Sequence, residues 1–267
     1  MPNGAKSVET ERARDLAREA IALAVRLQGR VKVRDKGGGH GPVTEADLAV
    51  EDLLLAGLRA AFPDDPVLSE ETRTAIDLPV RRLWCVDPID GTREYVEGRD
   101  EYAVHVGLLE EGVPVAGAVG LPGRLIWGGR GGVWIEEEGN TRAATLAPLS
   151  DLAQATVVHT RRHMTPALRR MLDALGAARC VPMGGIGYKV SRILLGEAHA
   201  MLHDRGTTWW DSVAPAALLL GAGGTVADAR GRPLDYRTDT RHHAGLLFAA
   251  PGLLAPLRAR LAQVQTE

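Results

Sequence analysis

Acidic side chains stand at the ends of apolar runs in three separated places: Glu70 and Glu71 after Val67-Leu68, Asp87 and Asp90 after Leu83-Trp84-Cys85-Val86, and Asp211 after Trp209-Trp210. Each has an ordinary structural use, since Asp-Pro and Asp-Gly pairs make turns and an aspartate at a helix start caps it. In combination they suit other chemistry: a hard divalent cation such as Mg²⁺ takes oxygen ligands from a few carboxylates, backbone carbonyls and water. Asp87-Pro88-Ile89-Asp90-Gly91-Thr92 reads as a corner at a strand end, stiffened by Pro88, where both carboxylates and the Ile89 carbonyl can converge. Gly91 lets the chain turn closely into a segment with free N–H groups for phosphate, and Thr92 would stand beside the attacking water.

The elements that must position these groups are readable from periodicity. A helix is expected from Val8 to Gln28, capped by Ser7, with Leu16, Ala20, Leu23 and Leu27 on one face and Gly29 as its stop. A short strand and a loop at Gly37 to Pro42 follow, then a second helix ending before Pro63, in which Thr44 and Asp47 have capping-box spacing. From Pro66 to about Ala143, short β-like runs with glycine turns suggest an antiparallel meander. Beyond it, strands alternate with helices: one helix capped by Thr165 with Pro166 at its first position, another from Tyr188, a third from Ser212. The change of pattern between Ala143 and Leu152 divides one catalytic unit of 267 residues into an N-terminal α+β subdomain at about 7–147 and a C-terminal α/β subdomain at about 148–267.

The ordered set Val43-Thr44-Glu45-Ala46-Asp47, Leu68-Ser69-Glu70-Glu71, Val86 to Tyr95 and the Trp210-Asp211…Ala222-Gly223-Gly224 segment resembles the inositol monophosphatase superfamily of Mg²⁺-dependent, lithium-sensitive phosphatases. The likeness spans nearly the whole chain. It implies an α+β fold, a layered αβαβα sandwich of the sugar-phosphatase type. It further implies two or three Mg²⁺ ions held by Glu70, Asp87, Asp90, Asp211 and the Ile89 carbonyl. Asp47, Glu70 and Thr92 would be catalytic, with Thr92 and Asp47 as a relay and Glu70 and Thr92 orienting a water for in-line attack on phosphorus. For Asp47, the capping box is an equal explanation. Asp90, Gly91, Thr92 and Lys189 would touch the substrate.

The superfamily acts on inositol phosphates, fructose bisphosphate, histidinol phosphate and nucleoside 3′,5′-bisphosphates. Arg93-Glu94-Tyr95 after the aspartates is similar to the continuation in 3′(2′),5′-bisphosphate nucleotidases of the bacterial CysQ type. Lys189 matches the lysine of their Gly-Ser-x-x-Lys segment, where it would anchor a second phosphate. One departure stands out: Gly184-Gly185-Ile186-Gly187 lacks the serine hydroxyl usual there. The resemblance thus points to removal of the 3′-phosphate of 3′-phosphoadenosine 5′-phosphate, a by-product of sulfate assimilation. The alternatives are an inositol-1-phosphate or fructose-1,6-bisphosphate phosphatase, or a metal- or nucleotide-binding sensor without turnover. A homodimer is compatible with the resemblance.

Composition narrows the partners. Thirty-two basic and thirty-four acidic side chains give a net charge of −2, which supplies no broad attraction for nucleic acid or an anionic membrane. The longest uncharged run, Ser212 to Ala227, contains Pro215 and three glycines and does not read as a membrane span. The N-terminus shows no hydrophobic signal core. Cys85 and Cys180 sit in apolar runs, which suggests buried reduced thiols and a cytoplasmic setting. His199 and His203 bracket a strand without a zincin helix pattern, so a metal role for them is disfavoured. Trp209 and Trp210 divide between filling the core and packing against a base.

Overall fold

The structure, a computed structural model, describes residues 7–30, 32–35 and 42–264. The loop expected over Gly37 to Gly41 lies outside these residues. In chain order the first elements are α1 (Val8–Leu27), β1 (Val33–Asp35), β2 (Pro42–Thr44), α2 (Glu45–Ala61), β3 (Val67–Ser69), β4 (Arg82–Asp90) and α3 (Thr92–Val96). The meander follows as β5 (Ala103–Glu110), β6 (Val113–Leu121), β7 (Arg124–Gly129), β8 (Gly132–Glu137) and β9 (Asn140–Ala143). Then come β10 (Thr156–Thr160), α4 (Pro166–Leu175), β11 (Arg179–Met183), α5 (Ile186–Leu194), β12 (Ala200–His203), β13 (Thr207–Thr208) and α6 (Trp209–Gly221). The chain closes with β14 (Thr225–Ala227), β15 (Arg241–His242), β16 (Leu246–Ala249) and α7 (Leu254–Val264).

β3 to β9 form a seven-stranded sheet in sequence order, antiparallel except for the parallel β3–β4 pair. A five-stranded sheet runs β11-β10-β12-β16-β14, parallel at β10–β11 and β10–β12 and antiparallel around β16. The α1–α2 pair packs on the larger sheet through Ala13, Leu16, Ala20, Val50 and Leu54. α5 and α6 lie between the sheets, while α4 pairs with α7 against the smaller one, completing an α+β sandwich of five layers. The uncharged run beginning at Ser212 is this central helix: residues apolar on all sides belong inside.

Glycines set how closely α6 approaches the larger sheet. A Cβ on Gly107 of β5 would lie 2.6 Å from the Ala214 backbone nitrogen, and one on Gly117 of β6 would lie 2.6 Å from the Ala214 carbonyl oxygen. Both neighbours are backbone, so neither can swing aside.

Four expectations need correction. The Asp87–Asp90 stretch is not a corner: β4 continues through it, pairing Asp87 with His105 and Asp90 with Ala103 across a register shift. Pro88 cannot donate to a ladder, and an irregularity is where a strand tolerates it. The turn comes one residue later, at left-handed Gly91. The helix expected from Tyr188 begins at Ile186, which puts Lys189 inside its first turn. The helix expected from Ser212 starts at Trp209, so Asp211 belongs to it. Cys85 is buried as expected, whereas Cys180 is exposed on β11 at the sheet edge.

Gly117→Ala should lower stability by about 1–3 kcal/mol, the usual range for overpacking against a rigid neighbour. Urea unfolding checks this; an unchanged midpoint would show that α6 can shift freely.

Candidate active site

Asp87 and Asp90 reach the site from the end of β4, and Asp211 from the first turn of α6. One carboxylate oxygen of each lies within 4.8 Å of the other two. Glu70, just beyond β3, reaches the Asp87 carboxyl and lines the same cleft. The four sequence-distant acids therefore converge. Burial pushes Asp87 well above the usual carboxylate range, and the charges of Glu70, Asp90 and Asp211 add to the effect. Burial, followed by Glu70 and Asp90, likewise pushes Asp211 up to about 7.

Asp90 behaves differently. Burial alone would raise it, but His105, Lys189 and the Gly187 N–H bring it below the ordinary value. Among the described residues, Asp87 Oδ1 is buried without a hydrogen-bond partner. Crowded, desolvated carboxylates with an orphaned oxygen are unfavourable alone and fit a hard divalent cation.

Asp47 completes the capping box that its spacing suggests and also lies beside Thr92. Its Oδ2 accepts from the Thr44 N–H at 2.7 Å and the Thr44 hydroxyl at 2.6 Å, completing the capping box of α2. Its Oδ1 lies 3.4 Å from Thr92 Oγ1, whose hydroxyl donates to the Ile89 carbonyl at 3.0 Å. Asp211 repeats the device: its Oδ2 accepts from the Thr208 N–H at 2.7 Å in the capping box of α6.

The cleft over these groups has a volume of about 390 Å³. Glu70, Asp90, Thr92 and Asp211 line it, as do Arg93, Arg162 and Arg205, whose charges act on His163, and Lys189, which is drawn to Asp90 and Asp211. Burial and then the Arg205 and Arg93 charges push the His163 imidazole down. Lys189 is buried, its ammonium donating to the Gly184 carbonyl, and burial lowers it to about 8 against the pull of Asp90 and other acids. Arg162, His163 and Arg205 were not singled out in the sequence, where nothing marks a loop residue as facing a cleft.

The Arg93-Glu94-Tyr95 stretch divides by role. Arg93 lines the cleft, Glu94 is buried and pairs with Arg162 at 2.9 Å, and the Tyr95 hydroxyl donates to the Ala24 carbonyl at 2.8 Å inside the core. Of the two tryptophans, Trp209 is core and Trp210 borders the cleft. In the segment that lacks the serine, the Gly187 N–H donates to Asp90 Oδ2 at 2.7 Å.

The model of the inositol monophosphatase family matches residues 6–265. The chain belongs to the inositol monophosphatase family. It is a phosphatase, an enzyme that hydrolyses phosphate monoesters. Among its relatives, the 3′(2′),5′-bisphosphate nucleotidase CysQ of Salmonella typhimurium is 36% identical over 201 residues, 73% of this chain and 79% of that protein. The 3′-phosphoadenosine 5′-phosphate phosphatase of Mycobacterium bovis is 35% identical over 216 residues, 77% of this chain and 78% of that protein. The extragenic suppressor protein suhB of Bartonella henselae shares the fold at a TM-score of 0.80 and 23% identity, covering 96% of this chain and 98% of that one. Among the described residues, no helix is long and apolar enough to cross a membrane.

The raised carboxyls give the family site a pH signature. A carboxyl with a folded-state value near 7 binds more protons folded than unfolded between about pH 4 and 7, so without a cation stability falls as pH rises through that window. A cation competes with those protons. Thermal unfolding with and without millimolar Mg²⁺ should show a larger gain in Tm at about pH 8 than at about pH 5.5; an equal gain at both would mean that these acids do not hold the ion.

Proposed function

We propose that this phosphatase removes the 3′-phosphate of a nucleoside 3′,5′-bisphosphate, with 3′-phosphoadenosine 5′-phosphate as the substrate. The observation that carries the reading is the mixed charge of the cleft, lined by the acids Glu70, Asp90 and Asp211 and by Arg93, Arg162 and Arg205, whose charges meet at His163. A monophosphate ester needs only the acidic end with its cations; a second phosphate gives the basic wall a purpose. The names of the Salmonella and Mycobacterium relatives support the same choice.

Mg²⁺ would be held by Glu70, Asp87, Asp90, Asp211 and the Ile89 carbonyl, supplying Lewis-acid stabilisation of phosphoryl oxygens and a water of lowered pKa. Asp90, Gly91 and Thr92 border the place of the scissile phosphate. With the Thr92 hydroxyl turned from Ile89 to Asp47 Oδ1, its proton would pass to Asp47 as its oxygen takes a proton from the attacking water, which Glu70 would orient. Asp47 can take this part because its cap bonds use only the other oxygen.

Phosphate release measured on 3′-phosphoadenosine 5′-phosphate, inositol 1-phosphate and fructose 1,6-bisphosphate should favour the first, require Mg²⁺ and be suppressed by Li⁺. Faster turnover of inositol 1-phosphate would overturn the nucleotide assignment.

Lys189→Met preserves length and removes charge. It should weaken kcat/KM for the bisphosphate by about ten- to a hundredfold, the worth of a hydrogen bond to a charged group, and affect adenosine 3′-monophosphate much less. Equal losses on both would remove Lys189 from the second-phosphate site.

A further inference from the structure

His105 belongs to no motif in the sequence, yet its side chain is fully buried beside the carboxylate cluster. It stands opposite Asp87 in the β4–β5 ladder, and directly opposed residues share a sheet face. Its two ring nitrogens face the two elements that supply the aspartates. Nε2 is 3.4 Å from Asp90 Oδ2, at the end of β4, and Nδ1 is 3.2 Å from the carbonyl oxygen of Trp210, the residue before Asp211 on α6.

The ring also lies against the glycine-rich start of α5. A Cβ on Gly187 would lie 2.1 Å from His105 Nε2, and one on Gly185 would lie 2.5 Å from Asp90 Oδ2. The imidazole occupies the volume that a side chain at 187 would fill. The bare backbone of α5 then comes close enough for the Gly187 N–H to hold the same Asp90 oxygen that His105 faces.

We propose that His105 is a positioning residue that locks Asp90 and the Trp210–Asp211 peptide into one cation-binding arrangement, with Gly187 as its steric counterpart. This rests on the reading of the carboxylates as Mg²⁺ ligands. Nδ1 donates to the Trp210 carbonyl, while Nε2 packs against Asp90 Oδ2 at 3.4 Å with no hydrogen bond among the described residues, so the ring meets one element by a bond and the other by contact and spaces the two. Groups that orient metal ligands from behind commonly carry ten- to a hundredfold of metal affinity.

The test is calorimetric titration of Mg²⁺ alone into the full chain, with circular dichroism to establish folding. His105→Ala should raise the Mg²⁺ Kd by about tenfold or more, and His105→Gln, whose amide nitrogen reaches Asp90, should recover most of the loss. Gly187→Ala should weaken binding similarly in the unaltered chain and clearly less in the His105→Ala background, where of its close contacts only that with the Ala103 Cβ at 2.9 Å remains. Unchanged affinity in His105→Ala, or additive losses in the double variant, would overturn the proposal. If His105→Ala does not fold, His105→Leu decides, since a histidine that only fills the core predicts an unaltered Kd there and a positioning residue predicts a weakened one. Failure of the unaltered chain to bind Mg²⁺ would defeat the metal reading and this inference together; binding that is indifferent to His105 defeats this inference alone.

Discussion

Like charges forced together out of water are the constraint on which the molecule is built. Glu70, Asp87, Asp90 and Asp211 come from three separate segments and two layers, and each is held against the repulsion of the others by contacts unrelated to the reaction. The continuation of β4 past Pro88 presents two of them. Helix caps pin Asp211 and, beside the cluster, Asp47. The α5 backbone and an imidazole hold Asp90. Their convergence persists because an α+β sandwich with extensive cores on both sides over-determines it, a common arrangement where strain is kept for function.

Local chemistry made much of this legible in the sequence. Ser7, Thr44 and Thr165 cap their helices because side-chain oxygens meet the first free N–H groups wherever a helix begins, which needs no tertiary information. The meander was readable because its glycine turns and apolar runs are short-range features. The acidic set was readable through its order along the chain. At Asp87–Asp90 the turn preference of Asp-Pro and Asp-Gly pairs was overridden by pairing with β5, which a local reading does not include.

What stayed hidden depends on the third dimension. His105 is one residue among the apolar ones of β5, and its importance follows from cross-strand register and from the arrival of α6. The basic wall combines Arg93 with residues from a later strand end and a later loop. Glu94 stood in the sequence only as part of the Arg93-Glu94-Tyr95 continuation, and its pairing with Arg162, 68 positions away, needs the fold. Cys180 occupies an apolar run but lies on an edge strand, where apolar sequence does not guarantee cover.

The close seat of α6 on Gly107 and Gly117 has a consequence for ion choice. Asp211 rides on the helix, while Asp87 and Asp90 ride on the sheet, so the gap between their oxygens is set by the thickness of a helix–sheet contact. Small and large divalent ions differ in ligand distance by only about 0.3–0.5 Å. An absent methyl group at either glycine governs spacing on that same scale. The spacing of the acids thus depends in part on two residues of the packed interior that stand outside the cluster.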